Sequence, residues 1–352
     1  MRFAFGAGGT GGHIMPAIAL AEELRARGHE SIFIGNGASL EERLATAEQY
    51  PFHKIRVQKL YRSLTPSNLA FPFRLGSSIL KCREILKKQR IDAVITTGGF
   101  VAGPVALAAI TLRIPGFLHE SNSYPGLTTR RLRRHLDRLY ISFDESRAYL
   151  NGAELRNFGI PIKKIEADDF SLEDIGLIEG KKTLLITGGS QGSFALNSAV
   201  SDSVDALLDS DWQIIWQTGK RSYAEFWQMH KNTPGLYLFD FSRSLPAMML
   251  KSDLAITRSG AMTLAELESS ALPAILIPLP SSAGNHQYHN ALAQVKKGVA
   301  QILSQDGLNP VRLLDAINTA DTGSMREKLT KLPVNNASEL IVTDILSCIK
   351  ER

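Results

Sequence analysis

"GAGGTGGHIMPAIALAEEL", residues 6–24, follows the short apolar run Phe3-Ala4-Phe5 and decides how the first half of the chain is read. Five glycines fall within residues 6–12, a histidine follows at 13, and the apolar spacing predicts a helix from near Pro16 to Gly28. A strand that passes through glycines into a helix opens a βα unit. Glycines at that turn let a phosphate approach the backbone N–H groups of the helix N-terminus. The stretch therefore predicts a parallel α/β sheet with an anion-binding turn beside His13.

The rest of the chain repeats the pattern. Short Val/Ile/Leu-rich runs alternate with helical spacing, the mark of βαβ units. Strands are predicted near 2–5, 31–34, 93–96, 116–119 and 138–141. "FGIPIKKIEADDF" (158–170) has the proline and mixed charge of a linker. A fresh series follows, with strands near 183–187, 213–217, 236–239, 254–257 and 274–278. It opens with "TLLITGGSQGSFALN" (183–197), again strand, glycine turn and helix. The expected organisation is two Rossmann-like domains, 1–163 and 164–336, facing each other across a ligand-binding cleft. The closing "ASELIVTDILSCIKER", about 337–352, reads as an amphipathic helix.

Composition narrows the function classes. The 352 residues are 44% hydrophobic and 21% charged, ordinary for a globular protein large enough for two cores. Cys82 and Cys348 fit no metal spacing or disulfide framework, which points to a reducing cytoplasm. The first apolar run is a glycine-interrupted strand rather than a signal peptide. The most apolar stretch, "FVAGPVALAAITL", is 13 residues long and too short to span a bilayer. Charge is uneven: residues 1–163 carry 23 Lys/Arg against 13 Asp/Glu, and residues 164–352 carry 17 against 22. The first half, at +10, is expected to meet something anionic.

Two motifs mislead. Gly6-Ala7-Gly8-Gly9-Thr10-Gly11 matches the dinucleotide fingerprint, but the second strand, "SIFIG", runs into Gly35-Asn36 and no acid follows until Glu41. Asp209-Ser210-Asp211 has the spacing by which many sugar-nucleotide enzymes hold a metal, yet it precedes the strand "WQIIW". Ligands of parallel sheets sit at the other, carboxyl end. A solvated loop is the better reading.

Four segments do fall at carboxyl ends of predicted strands. They are the opening loop with His13, "LHESNSYPGLT" (118–128) with Glu120 and Asn122, "GGSQG" with Ser190, and "TRSGAMTLAELESSALPAILIPLP" with Glu266. The last continues into "GNHQYHNA", with His286, Gln287 and Asn290. Any one of these can be an ordinary tight turn. Together they mark a site.

With "GGTGGH", "GGFVAGP", "LHESN…PGLT", "GGSQG…LN", "RSGAMTLAE" and "PAILIPLP…HQYHNA" in this order and spacing, the chain resembles the MurG-type glycosyltransferases of family 28 over nearly its whole length. The resemblance implies a GT-B fold, with acceptor and membrane on the first domain, donor nucleotide on the second, and the terminal helix packed back across the first. It implies inverting transfer of N-acetylglucosamine from UDP-N-acetylglucosamine to undecaprenyl-diphosphate-muramyl-pentapeptide, without metal or cofactor. His13 is then the candidate base, and Thr10, Gly11 and Gly12 contact the donor. Asn122 and Gln287 would hold the sugar, and Lys163 a donor group. Ser190, Ser242 and the run Ala261, Met262, Thr263, Leu264, Ala265 and Glu266 would hold diphosphate and uridine, with Glu266 accepting from the ribose hydroxyls. The chain departs from the family pattern at Ser121, Lys163, Arg243-Ser244 and His286. Lys163 keeps a charge but loses the bidentate fork of arginine.

Lys54 to Arg90 holds ten Lys/Arg and one acid, Glu84, interleaved with Leu69, Phe71, Phe73 and Leu75; Arg130, Arg131, Arg133, Arg134 and Arg138 form a second cluster. A charge run is usually a solvated face. Apolar side chains among the basic ones suit peripheral attachment to an anionic membrane, here the cytoplasmic face of the inner membrane. No nucleic-acid motif is present. The resemblance also admits other cell-wall synthesis proteins as partners. The rival readings are another GT-B enzyme acting on a UDP-sugar, either a transferase with a different acceptor or an epimerase, and a catalytically silent membrane or cell-wall adaptor of the same fold.

Overall fold

The structure is a computed structural model that describes residues 1–58, 71–163 and 170–352. The chain divides into two compact units, Met1–Lys163 with Asn335–Arg352, and Lys164–Val334.

The first unit is built on β1 (Arg2–Gly6), β2 (Glu30–Asn36), β3 (Phe52–Ile55), β4 (Ala93–Thr96), β5 (Gly116–Glu120), β6 (Arg138–Ile141) and β7 (Leu155–Asn157). All pair in parallel, in the order β3-β2-β1-β4-β5-β6-β7. The inner strands are apolar on both faces because both faces are covered. On one side Phe3, Phe5, Phe33, Phe117 and Tyr140 pack with the helix Gly11–Ala26. On the other, Ala4, Ile32, Ile34 and Val94 pack with Val101 and Val105 of Gly99–Leu112 and Cys82 and Leu86 of Phe71–Lys88. The chain winds outward from β1 to β3, then returns to place β4 on the far side of β1. Their carboxyl ends form the switch point where such sheets bind ligands.

The helix after β1 starts at Gly11, not near Pro16, and Pro16 lies inside it. This correction matters, since it moves His13 from a loop into the first turn of a helix. The last helix, Ala337–Lys350, buries Ala337, Ile341, Val342 and Ile345 in the same core as Phe3 and Phe33. Asp344 fixes it there, accepting from Tyr140 Oη (2.8 Å) and pairing with Arg138.

The second unit carries β8 (Thr183–Thr187), β9 (Gln213–Gln217), β10 (Leu236–Phe239), β11 (Leu254–Thr257), β12 (Ala274–Leu276) and β13 (Ala300–Ile302). They are parallel in the order β10-β9-β8-β11-β12-β13, so the switch point lies between β8 and β11. Leu184, Ile186, Trp216, Ile256 and Ile275 centre its core.

Candidate functional site

In the first unit, Thr10 occupies the capping position of the helix Gly11–Ala26 in extended backbone (φ −144°, ψ 158°), but its hydroxyl caps no amide. Instead Thr10 Oγ1 lies 3.1 Å from His13 Nδ1. Gly11, Gly12 and His13 form the first turn and are partly exposed. The His13 ring rests on Gly98-Gly99, the turn after β4. A Cβ at Gly98 would fall 2.8 Å from His13 Cδ2 and 3.2 Å from Nε2, and one at Gly99 only 1.9 Å from the carbonyl oxygen of Gly8. Both residues also sit at positive φ (+96° and +79°), where a side chain is strained. The loops after β1 and β4 thus close on each other with the histidine between them. The signal for this contact in the sequence is the glycine pair of "GGFVAGP" directly after a strand.

Glu120, the last residue of β5, organises the loop that follows. Its Oε1 accepts from Asn122 N (3.1 Å) and Nδ2 (3.2 Å), and its Oε2 from Gly126 N (2.9 Å) and Thr129 Oγ1 (2.6 Å). Glu120 is therefore consumed in orienting Asn122. Asn122 is partly exposed, with its amide held in one plane. Its neighbour His119 is fully buried. The Nε2 of His119 faces Gly159 O and Ser142 Oγ (both 3.1 Å), and its Nδ1 faces Ser121 Oγ (3.3 Å). Burial pushes the His119 pKa down to about 4, so the ring is neutral and structural.

Glu41, set aside in the dinucleotide reading, folds back beneath the first glycine loop. It is 2% exposed and a Cβ at Gly8 would come within 3.0 Å of its Oε1. It supports the loop rather than facing a ligand.

In the second unit, Ser190 is exposed in the turn after β8. Arg258, in the turn after β11, is 8% exposed and ties these turns together. Its guanidinium donates to Ile277 O (2.9 Å), Ser193 Oγ (2.6 Å) and Gln305 Oε1. Among the described residues its partners are all uncharged, so a buried cation stands at the root of both turns. Burial lowers its pKa, the cost expected of an unpaired charge. The sequence pattern around Arg258 gives no sign of this role, since its partners come from distant turns.

The helix Ala261–Ser269 leaves the same turn. Ala261, Leu264 and Ala265 are buried packing residues, while Met262, Thr263 and Glu266 are partly exposed. The Glu266 carboxylate has no protein partner among the described residues. Burial raises its pKa from 4.5 to about 7. Gln287 uses its Oε1 to accept from Leu279 N (2.9 Å), and its carbonyl accepts from Ser259 Oγ (2.7 Å). Ser242 follows the edge strand β10. Its N–H donates to Gln217 Oε1 (3.3 Å), and Gln217 Nε2 donates to Thr187 Oγ1 (2.9 Å), which links it to β8. Asp209 to Asp211 precede β9 at the opposite end of the sheet. No group of three or more His, Cys, Asp or Glu with metal-binding geometry occurs among the described residues.

Residues 3–141 match the glycosyltransferase family 28 N-terminal domain and residues 183–343 the family 28 C-terminal domain. The UDP-N-acetylglucosamine–N-acetylmuramyl-(pentapeptide) pyrophosphoryl-undecaprenol N-acetylglucosamine transferase of Bacillus licheniformis is 36% identical, over 90% of this chain and 89% of that protein. The chain belongs to the MurG-type branch of glycosyltransferase family 28. The Exiguobacterium sibiricum protein of the same description is 34% identical over 100% of both chains. The crystal structure of Acinetobacter baumannii MurG matches with a TM-score of 0.77 at 26% identity, covering 98% of this chain and 99% of that one. The two Rossmann-like sheets are those of the GT-B fold that the sequence motifs implied.

Within this family 28 chain, Lys163, an implied donor residue, is ion-paired inside the first unit. Lys163 Nζ pairs with Glu22 Oε1 (2.6 Å) and Glu48 Oε2 (3.1 Å). Burial works against its charge, but hydrogen bonds to the two carboxylates outweigh that, and the pKa is raised. Glu22 lies nine residues beyond His13 on the same helix, roughly 13 Å along its axis. In the first unit Lys163 is thus neutralised well away from the glycine loops. Of the remaining departures, Ser121 is buried with its Oγ 3.3 Å from His119 Nδ1, whereas the others are exposed or partly exposed: Arg243 is exposed, Ser244 N donates to Ser242 Oγ (3.0 Å), and His286 opens the helix His286–Lys297.

Proposed function

We propose that this chain transfers N-acetylglucosamine from UDP-N-acetylglucosamine to the undecaprenyl-diphosphate-linked muramyl-pentapeptide of peptidoglycan synthesis, with inversion at the anomeric carbon. The observation that carries this reading is the full-length likeness, in both domains, to transferases of that description. In this reading the acceptor hydroxyl attacks the anomeric carbon, the bond to the UDP oxygen breaks, and His13 Nε2 takes the hydroxyl proton. With Nδ1–H donating to Thr10 Oγ1, Nε2 carries the lone pair that a general base needs. Asn122, held by Glu120, orients the sugar. The β8 turn, the helix starting at Ala261 and the Arg258 charge offset the charge developing on the departing diphosphate.

The deciding experiment is UDP release from UDP-N-acetylglucosamine with and without the lipid-linked acceptor. Release is expected to depend on the acceptor. Release at equal rate without it would point to an enzyme that hydrolyses the UDP-sugar, such as a hydrolysing epimerase. No release in either condition would leave an epimerase that keeps UDP attached or the silent adaptor, separated by whether the UDP-sugar itself is converted.

The same reading places the protein at the cytoplasmic face of the cell membrane. Among the described residues no helix is long and apolar enough to cross a membrane, so attachment would be peripheral. The helix Phe71–Lys88 supports it. Cys82, Ile85 and Leu86 face the core, while Phe73 (82% exposed) and Leu80 (68%) stand on the outer side with exposed Arg74, Lys81, Lys87 and Lys88. Phe71 and Leu75 are only partly exposed, and Leu69 lies outside the described residues. Replacing Phe73 and Leu80 by serine is expected to weaken binding to anionic vesicles while sparing the melting temperature and UDP affinity. Added salt should weaken it further, since each basic residue contributes only about 1 kcal/mol and is screened beyond roughly 10 Å. Unchanged co-sedimentation of a normally folded double variant would defeat the docking face.

A further inference from the structure

The basic cluster after Gly126 contains one arginine unlike the rest. Arg133 donates to Asn151 O (3.1 Å) and Arg130 O, and Arg134 packs on Gly152. Arg130 instead turns back over the ring of Tyr124, its guanidinium carbon 5.0 Å from the centroid. Tyr124 is itself held edge-on by Tyr149 at 4.9 Å. The Nε of Arg130 is buried without a hydrogen-bond partner among the described residues. Nor does any described carboxylate ion-pair with Arg130. The one acid between residues 93 and 136 is Glu120, and both its oxygens are committed to Asn122, Gly126 and Thr129.

A buried, unpaired guanidinium N–H is costly to keep, and the surrounding structure gives it no relief. The cation–π contact seats the guanidinium against Tyr124, and the parallel N–H donors of a guanidinium match a bidentate oxyanion. The platform is rigidly joined to the sugar-orienting loop: Tyr124 lies two residues from Asn122, and Ser146 Oγ, on the turn that carries Tyr149, donates to Asn122 O (2.9 Å). We propose that Arg130, seated over Tyr124, binds an oxyanion of the acceptor, either a carboxylate of its peptide or its diphosphate. The proposal rests on the acceptor assigned above.

The test compares wild type and Arg130→Met in acceptor-dependent UDP release. Two acceptors are used: the lipid-linked muramyl-pentapeptide, and the same molecule with its peptide carboxyls amidated. For the natural acceptor, Arg130→Met is expected to raise KM roughly 10- to 100-fold, as loss of a charged hydrogen bond implies, with kcat and the donor KM little changed. A difference between the proteins that disappears with the amidated acceptor assigns the contact to a peptide carboxylate; one that persists assigns it to the diphosphate. Equal acceptor KM for both proteins with both acceptors overturns the proposal. Absence of acceptor-dependent release by wild type would remove the acceptor itself, and this proposal with it. UDP affinity and melting temperature report the fold. Should Arg130→Met melt early, Tyr124→Leu, which keeps the charge but frees the fork, carries the test with a several-fold rise in acceptor KM expected.

Discussion

Replacing His13 by alanine is expected to lower kcat by about 10²–10⁴-fold, the usual worth of a positioned general base, while leaving UDP affinity near wild type. The split follows from where the ring sits. His13 stands in the first turn of its helix, pressed against Gly98 and Gly99 and within 3.1 Å of Thr10 Oγ1. Its proposed work is on the acceptor hydroxyl, whereas uridine and diphosphate are assigned to the turns after β8 and β11. Thr10→Ala should lower kcat in the same direction but by less, because Nδ1 loses the partner that sets its tautomer while Nε2 remains. Kinetics at saturating substrates, paired with calorimetry of UDP, check both. A His13→Ala enzyme with wild-type kcat would remove the residue from that role.

The fold was legible where a strand is apolar throughout, the edge strand β10 included, and illegible where an edge strand carries polar side chains. All ten strands expected from the sequence are present. The three that were missed, β3, β7 and β13, are edge strands. Their sequences, Phe52-His53-Lys54-Ile55, Leu155-Arg156-Asn157 and Ala300-Gln301-Ile302, carry polar and charged side chains because one side of an edge strand meets solvent or a loop. The misplaced start of the first helix has a local cause. Pro16 looked like a first-turn residue, yet helical backbone extends back to Gly11, a stretch whose glycines give no propensity signal of their own.

The candidate site was legible as a set of turns but not as a set of contacts. Glycine runs after apolar strands located the four turns, since that pattern depends only on chain neighbours. Gly98-Gly99 against His13, Arg258 against Ser193 and Gln305, and the commitment of Glu120 to its own loop arise from turns brought together by sheet order. No local pattern encodes them. Lys163 shows the converse: a residue implied by resemblance is found neutralised by Glu22 and Glu48, carboxylates that one sequence gives no reason to pair with it.

Glu266→Ala is expected to weaken UDP and UDP-N-acetylglucosamine alike by roughly 1.5–3 kcal/mol, the worth of a charged hydrogen bond, because both ligands carry the ribose assigned to it. Its raised pKa adds a pH signature. In the free protein the carboxyl titrates at about 7 because burial disfavours the charge and no protein donor relieves it. Ribose hydroxyls donating to the ionised form would lower that pKa on binding. UDP affinity of the wild type should therefore fall as pH drops below about 7, and binding near neutrality should release protons. The terminal phosphate of UDP also titrates, near pH 6. Glu266→Gln isolates the protein's share, since only the phosphate's dependence should survive in it. Stability should move the other way. Below the ordinary value of 4.5 the carboxyl is neutral whether folded or unfolded. Between about 4.5 and about 7 the unfolded chain ionises while the folded one stays protonated, so stability falls across that window, and above it the full penalty, on the order of 3 kcal/mol, is in place. Glu266→Gln should accordingly melt higher than wild type at pH 8 and alike at pH 4, a carboxylate kept for its ligand at the expense of the fold. Unchanged UDP affinity in Glu266→Ala, or identical pH profiles for wild type and Glu266→Gln, would take the ribose contact away from this residue.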